Sequence, residues 1–174
     1  MRDFKIFTFL TGMLLLSYPV WAAHQAKTLI QGTTPDSKVE GTATLTQTDE
    51  GVNVEAIVDH LTPGNHGFHI HENGSCSEGG NAAGGHFNPD KVQHGHMPKD
   101  GMTNAHPGDM GNLEADADGH AQLKVFLKGV TLQEGQYAVL GKSVIVHEKA
   151  DDFSQPTGNA GGRVGCGIIE EEKS

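Results

Sequence analysis

The sequence predicts an all-β fold: about eight short antiparallel strands, in a sandwich or barrel, with two long functional loops. Three observations predict it. Apolar and β-branched residues alternate with polar ones along short segments. Clusters of Gly, Asp, Thr and Pro punctuate those segments as turns. No stretch of ten or more residues repeats with the helical period of 3.6.

The chain has 174 residues, and residues 1–22 read as an export signal. Arg2 and Lys5 make a basic start, residues 6–20 are mostly apolar, and Val20-Trp21-Ala22 suits cleavage. The alternative is a membrane anchor, but the run is short against the roughly 20 residues that span a bilayer. No cysteine lies near the cleavage point, which argues against a lipidated end. The remainder, 23–174, reads as one domain.

Residues 38–47 (KVEGTATLTQ) alternate, Thr48-Asp49-Glu50-Gly51 turns, and residues 52–58 (VNVEAIV) alternate again: a hairpin. Thr62-Pro63-Gly64 is another turn, and residues 65–72 form the next strand. Residues 73–109 are rich in Gly, His, Asn and Pro without apolar periodicity. A loop of that length inside a small domain is functional or disordered. Strands resume at 111–115 and, after Asp116-Ala117-Asp118-Gly119, at 120–127. Val139-Leu140-Gly141 with residues 143–147 (SVIVH) makes another strand region. A second loop covers 148–162, residues 163–169 make the last strand, and residues 170–174 read as a solvated tail.

Without residues 1–22 the chain has ten basic and 21 acidic residues, a formal charge of −11. That argues against nucleic acid as a partner. No membrane partner is expected once the signal is removed. The two cysteines, Cys76 and Cys166, invite a disulfide in an exported chain. It would close a loop of about 90 residues, worth ~4–5 kcal/mol by chain entropy. Two soft metal ligands are the alternative, weakened by the lack of Cys-x-x-Cys pairing.

Seven of the eleven histidines fall within residues 66–109, and neutral histidine is the commonest metal ligand. His69 and His71 stand two apart on a strand and therefore share a face. With His147 as a third ligand and His86 as a fourth, they make a nitrogen-only set suited to copper(II). His94, His106 and Asp109, again with His86, make three imidazoles and a carboxylate, a closed zinc set. His86 can serve both groups only through both ring nitrogens, as an imidazolate between two dications.

Five segments together resemble the copper,zinc superoxide dismutases. They are Gly67-Phe68-His69-Ile70-His71; Gly84-Gly85-His86-Phe87-Asn88-Pro89; His94 and His106 with Asp109-Met110-Gly111-Asn112-Leu113; Val146-His147-Glu148-Lys149; and Gly158-Asn159-Ala160-Gly161-Gly162-Arg163-Val164-Gly165-Cys166-Gly167. The match covers roughly residues 38–169 and requires every ligand in order. The resemblance implies an eight-stranded antiparallel Greek-key barrel. It implies one copper ion on His69, His71, His86 and His147, and one zinc ion on His86, His94, His106 and Asp109. It also implies a Cys76–Cys166 disulfide, Arg163 orienting superoxide, and Asp151 linking His69 to His94. His66 would be a backbone hydrogen-bonding group. The activity implied is dismutation of superoxide to oxygen and hydrogen peroxide by alternating reduction and reoxidation of copper, with His86 as catalytic proton carrier. An acidic protein capturing an anion needs a local positive field, for which superoxide dismutases are a known case.

The loop between His147 and Arg163 has only 15 residues, short beside eukaryotic members. With the signal it points to the bacterial periplasmic branch, and hence to the periplasm. Lys91 or Lys99 could then supply the field, or be ordinary solvated lysines. His96 is expected to be solvent-exposed, His94 being the ligand by its spacing of eight from His86. His24, His60 and His120 read as surface residues, although a histidine near a free N-terminus can bind copper. Asn73-Gly74-Ser75 is a glycosylation sequon only in a eukaryotic secretory pathway. Two rivals remain: a non-catalytic copper and zinc binding protein, and a structural β-domain with zinc only. The first has no need of Arg163, the second none of His69, His71 and His147. A homodimer is a further expectation.

Overall fold

The barrel is built from strands whose inward faces are almost wholly apolar. The computed structural model describes residues 24–172; the expected signal, residues 1–22, lies outside them. The strands are β1 (Gln25–Gly32), β2 (Glu40–Gln47), β3 (Gly51–Asp59), β4 (Gly64–His71), β5 (Asp109–Ala115), β6 (Ala121–Lys128), β7 (Ser143–His147), β8 (Arg163–Ile168) and a short β9 (Glu170–Glu171). Eight run antiparallel in the order β2-β3-β6-β5-β4-β7-β8-β1, and β1 pairs back to β2. The sheet thus closes into a barrel without exposed edges.

Period 2 sets the inside. Val52, Val54, Ala56 and Val58 of β3 are buried while Asn53, Glu55 and Ile57 face out. Leu45, Phe68, Ile70, Leu113, Leu127, Val144 and Val146 fill the interior at 0% exposure. Each such large side chain contributes about 1.5–3 kcal/mol by burial. Gly51 closes the β2–β3 turn, whose Thr48 hydroxyl is 3.0 Å from the Gly51 carbonyl.

Both central strands of the site are buried on two faces. In β4, Phe68 and Ile70 point into the barrel, so His69 and His71 point outward beneath the long loops. In β7, Val144 and Val146 point in, while Ile145 packs outside against Ala83 and the two cysteines. Cys76 and Cys166 are bonded across 90 residues with a Cα separation of 5.7 Å. This pins the first long loop to β8. That loop is not structureless: it holds a single 3-10 turn at Asn81–Ala83 and one helical turn, α1 (Met97–Asp100).

Two sequence expectations change, and one strand is new. Val139, Leu140 and Gly141 follow an isolated bridge at Ala138 and lead through a turn into β7 rather than forming strand, with Gly141 at φ 77°. Glu170 and Glu171 are exposed as a tail would be, but they pair with Lys27 and Ala26 of β1. Strand β1 itself is poorly marked in the sequence: Ala26, Thr28 and Ile30 face in, yet Leu29 faces out at 65% exposure and breaks the alternation.

Candidate metal centre

Three backbone pairings assemble the site. His69 of β4 lies opposite Asp109 of β5. His71 bridges to His86, which brings the first long loop back alongside β4. His147 of β7 lies opposite Arg163 of β8. Because β4 and β7 pair His69 with Ile145, His147 stands two residues along on the same outer face as His69. Every one of these ligand-type side chains is buried, at 8% exposure or less.

The first group is His69, His71, His86 and His147, whose nearest ring nitrogens all lie within 4.8 Å of one another. Each ring has one nitrogen engaged elsewhere. His69 Nε2 donates to Asp151 Oδ2 at 2.8 Å, and His71 Nδ1 donates to the Gly84 carbonyl at 2.9 Å. His86 Nδ1 is 2.8 Å from Asp109 Oδ1, and His147 Nδ1 is 3.4 Å from the Gly161 carbonyl. The free nitrogens therefore converge: His71 Nε2 and His147 Nε2 are 3.4 Å apart. His69 Nδ1 is fully buried with no hydrogen-bond partner.

An orphaned buried nitrogen facing three other imidazoles is costly unless something binds it. Electrostatics agree. Burial, reinforced by the neighbouring rings, pushes His71 down to about 2 and His147 to about 3. Burial lowers His86 to about 4 against the pull of Asp109. At neutral pH these three rings are uncharged and offer lone pairs. The donor set fits copper.

The second group is His86, His94, His106 and Asp109. Here three Nδ1 atoms meet one carboxylate, His86 and His106 at Oδ1 (2.8 and 3.1 Å) and His94 at Oδ2 (2.8 Å). The backbone N–H groups of Gly95 and His106 also donate to Asp109 Oδ2, so the loop wraps around this side chain. His94 Nδ1 is close to Oδ2 but misaligned for a hydrogen bond, and counts as a buried orphan. The histidines override burial and hold Asp109 well below the usual carboxylate range. Burial lowers His94, but Asp109 and Asp151 outweigh it and raise the ring to about 9. A field that holds a proton this strongly attracts a cation, and the three-imidazole, one-carboxylate set fits zinc. His86 belongs to both groups.

Asp151 joins the two groups. Its Oδ1 accepts from His94 Nε2 at 2.9 Å while its Oδ2 accepts from His69 Nε2. The two histidines override burial and keep its carboxyl below the usual range. Gly158 makes room for this carboxylate, since a Cβ there would overlap it. Arg163 is half-buried, and its guanidinium donates to the carbonyls of Gly80 and Gly84.

The structure brings together His69, His71, His86, His94, His106, His147, Asp109, Asp151 and Arg163. His66 stays apart, its Nδ1 2.8 Å from the His147 carbonyl and its Nε2 2.8 Å from the Thr62 carbonyl. His96 is not solvent-exposed as expected: it is half-buried, because its ring lies 5.4 Å from that of Phe153 and against Gly111. His120 is salt-bridged to Asp59 at 2.6 Å, which raises its pKa. Lys91 and Lys99 are exposed and form no ion pair among the described residues. Sequence reasoning missed the Gly84 carbonyl, Phe153, Gln155 and the role of Asn112. The Asn112 amide grips both backbone groups of Asp151, at 2.7 and 3.0 Å. Nothing local marks a main-chain carbonyl or an isolated amide side chain as part of a site.

Comparison with known proteins agrees with this geometry. The family model for copper/zinc superoxide dismutase matches residues 39–169. The extracellular superoxide dismutase [Cu-Zn] of Caenorhabditis elegans is 43% identical over 136 residues, 74% of this chain and 60% of that protein. The chain thus spans less than two thirds of that relative. Proteins of the same name from Drosophila melanogaster and Haemonchus contortus are 42% and 41% identical, over 77% and 80% of this chain and 77% and 78% of their own lengths. A ligand set shared through one imidazole, inside a closed antiparallel barrel and across the whole matched span, leaves one family: the chain belongs to the copper/zinc superoxide dismutases.

Proposed function

We propose that the chain dismutes superoxide to oxygen and hydrogen peroxide. Copper would be held by His69, His71, His86 and His147, and zinc by His86, His94, His106 and Asp109. One observation carries this reading: His86 directs Nδ1 to Asp109 at 2.8 Å while its ring sits 4.1 Å, centroid to centroid, from His69 and 5.0 Å from His71. When bound, copper supplies the one-electron chemistry and zinc a fixed charge beside it.

The chain's own residues do the rest. Burial keeps the copper-side rings neutral, so they bind without first losing protons. Asp151 fixes the tautomers of His69 and His94 by accepting hydrogen bonds from both Nε2–H groups. His86 Nε2 is the nitrogen turned away from Asp109, so it is the atom that holds and delivers a proton to the peroxide product. Arg163 cannot lose its charge at physiological pH. Its guanidinium is fixed at the Gly84 carbonyl, the same oxygen that orients His71. An anion is drawn and oriented there.

We further infer export, with the periplasm of a bacterial member as the location. The disulfide supports an oxidising compartment, and the relatives named above are extracellular. The short span between His147 and Arg163 supports the bacterial branch. For assembly we propose a homodimer, with Leu29 of β1, 65% exposed, as apolar surface available to it.

Superoxide decay is to be followed with protein carrying one copper and one zinc, at low and high salt. Catalysed decay that slows with salt is expected. No acceleration with both metals bound would instead mean a non-catalytic copper and zinc binding protein.

A further inference from the structure

We propose that Gln155 is a positioning residue that latches the segment bearing His94 over the zinc site, and so sets how slowly zinc leaves. The inference rests on the ligand assignment above. His94 belongs to no strand or helix, so no ladder holds its backbone. One side chain does so instead. The His94 N–H donates to Gln155 Oε1 at 3.0 Å, and Gln155 Nε2 donates to the His94 carbonyl at 2.8 Å. A single amide, 61 residues away, satisfies both main-chain groups of a ligand, as a neighbouring strand would.

The rest of the segment grips the same residue. Asp151 holds His94 Nε2. Phe153 lies between the two and adopts φ 58°, a left-handed conformation unfavourable for an aromatic residue. The residue is also 41% exposed. Such costs persist where surroundings enforce them. Here the Phe153 N–H donates to Asp151 Oδ1 at 2.8 Å, and the ring stacks on His94 at 6.4 Å with a 19° tilt. The left-handed residue reverses the chain so that carboxylate, ring and amide all land on His94, whose side chain is completely buried. Gln155 itself is exposed, so shortening it opens no core cavity.

The test loads the whole chain with zinc and follows transfer to a chromogenic chelator for the wild type, Gln155→Ala, Gln155→Glu and His94→Ala. Copper release and the thermal midpoint of the metal-free protein are recorded alongside. Gln155→Ala is expected to speed zinc release about 10–100-fold, the usual range for groups that support a metal ligand. Copper release and the metal-free midpoint should hold. Gln155→Glu keeps the acceptor but loses the donor, and its rate should fall between. Wild-type zinc release from Gln155→Ala, with His94→Ala unable to hold zinc, overturns the latch and leaves the ligand assignment standing. Copper release accelerated as much as zinc release overturns it too, as general loosening. Zinc held by His94→Ala as tightly as by the wild type overturns the ligand assignment itself.

Discussion

Arg163 and His71 are tied through a single atom. The Gly84 carbonyl oxygen accepts from Arg163 Nη2 at 2.6 Å and from His71 Nδ1 at 2.9 Å. The guanidinium and a ring of the first histidine group therefore share one anchor, in a loop that the Cys76–Cys166 bond ties to β8.

Arg163→Ala should slow superoxide decay about 10–100-fold, the kinetic equivalent of losing a charged hydrogen bond of ~1.5–3 kcal/mol. Both metals should stay bound, since Arg163 donates to carbonyls and not to a ligand atom. Rate measurements with metal analysis check this; loss of metal would reveal a structural role instead.

His147→Ala should abolish copper-dependent turnover while zinc remains. His147 belongs to the first histidine group and not to the second. Metal content and decay rate together test it, and undiminished activity would remove His147 from the ligand set.

Cys76→Ser should lower stability by about 2–5 kcal/mol. The covalent closure across 90 residues is lost, and with it the tether of the loop that positions the Gly80 and Gly84 carbonyls. Thermal unfolding under oxidising conditions checks this, and an unchanged midpoint would contradict it.

The metal-free protein should be most stable near pH 6.5–7. His71, His86 and His147 are lowered from 6.5 to about 2, 4 and 3. Below pH 6.5 the unfolded chain takes up their protons while the folded one does not, so stability falls. With three protons the slope reaches about 4 kcal/mol per pH unit. His94 is raised to about 9, so its contribution is complete below 6.5 and is lost as pH rises through 9, more gently. Denaturant midpoints from pH 4 to 9 test both limbs; a midpoint rising on acidification would contradict the first.

Much of this was legible in the sequence, and for physical reasons. Phe68-His69-Ile70-His71 alternates because a strand must send apolar side chains into the barrel, so the same rule that buries Phe68 and Ile70 puts both histidines outside. The β2–β3 hairpin was readable because its turn residues and alternation are local. Strand β1 was hidden by outward Leu29, and His96 was misjudged because its cover, Phe153, lies 57 residues further on.

By itself the sequence determined the residue types, their faces on the strands it marked and the family to which the chain belongs, since periodicity, turn chemistry and motif order are properties of the chain read locally. Only the tertiary structure decided which ring nitrogen each histidine turns inward, that one carbonyl serves both Arg163 and His71, and that Gln155 and Asn112 hold the backbones of His94 and Asp151. Those relations depend on hydrogen-bond direction between segments as far as 82 residues apart. Direction across such separations is set by how the barrel closes, which no local pattern encodes.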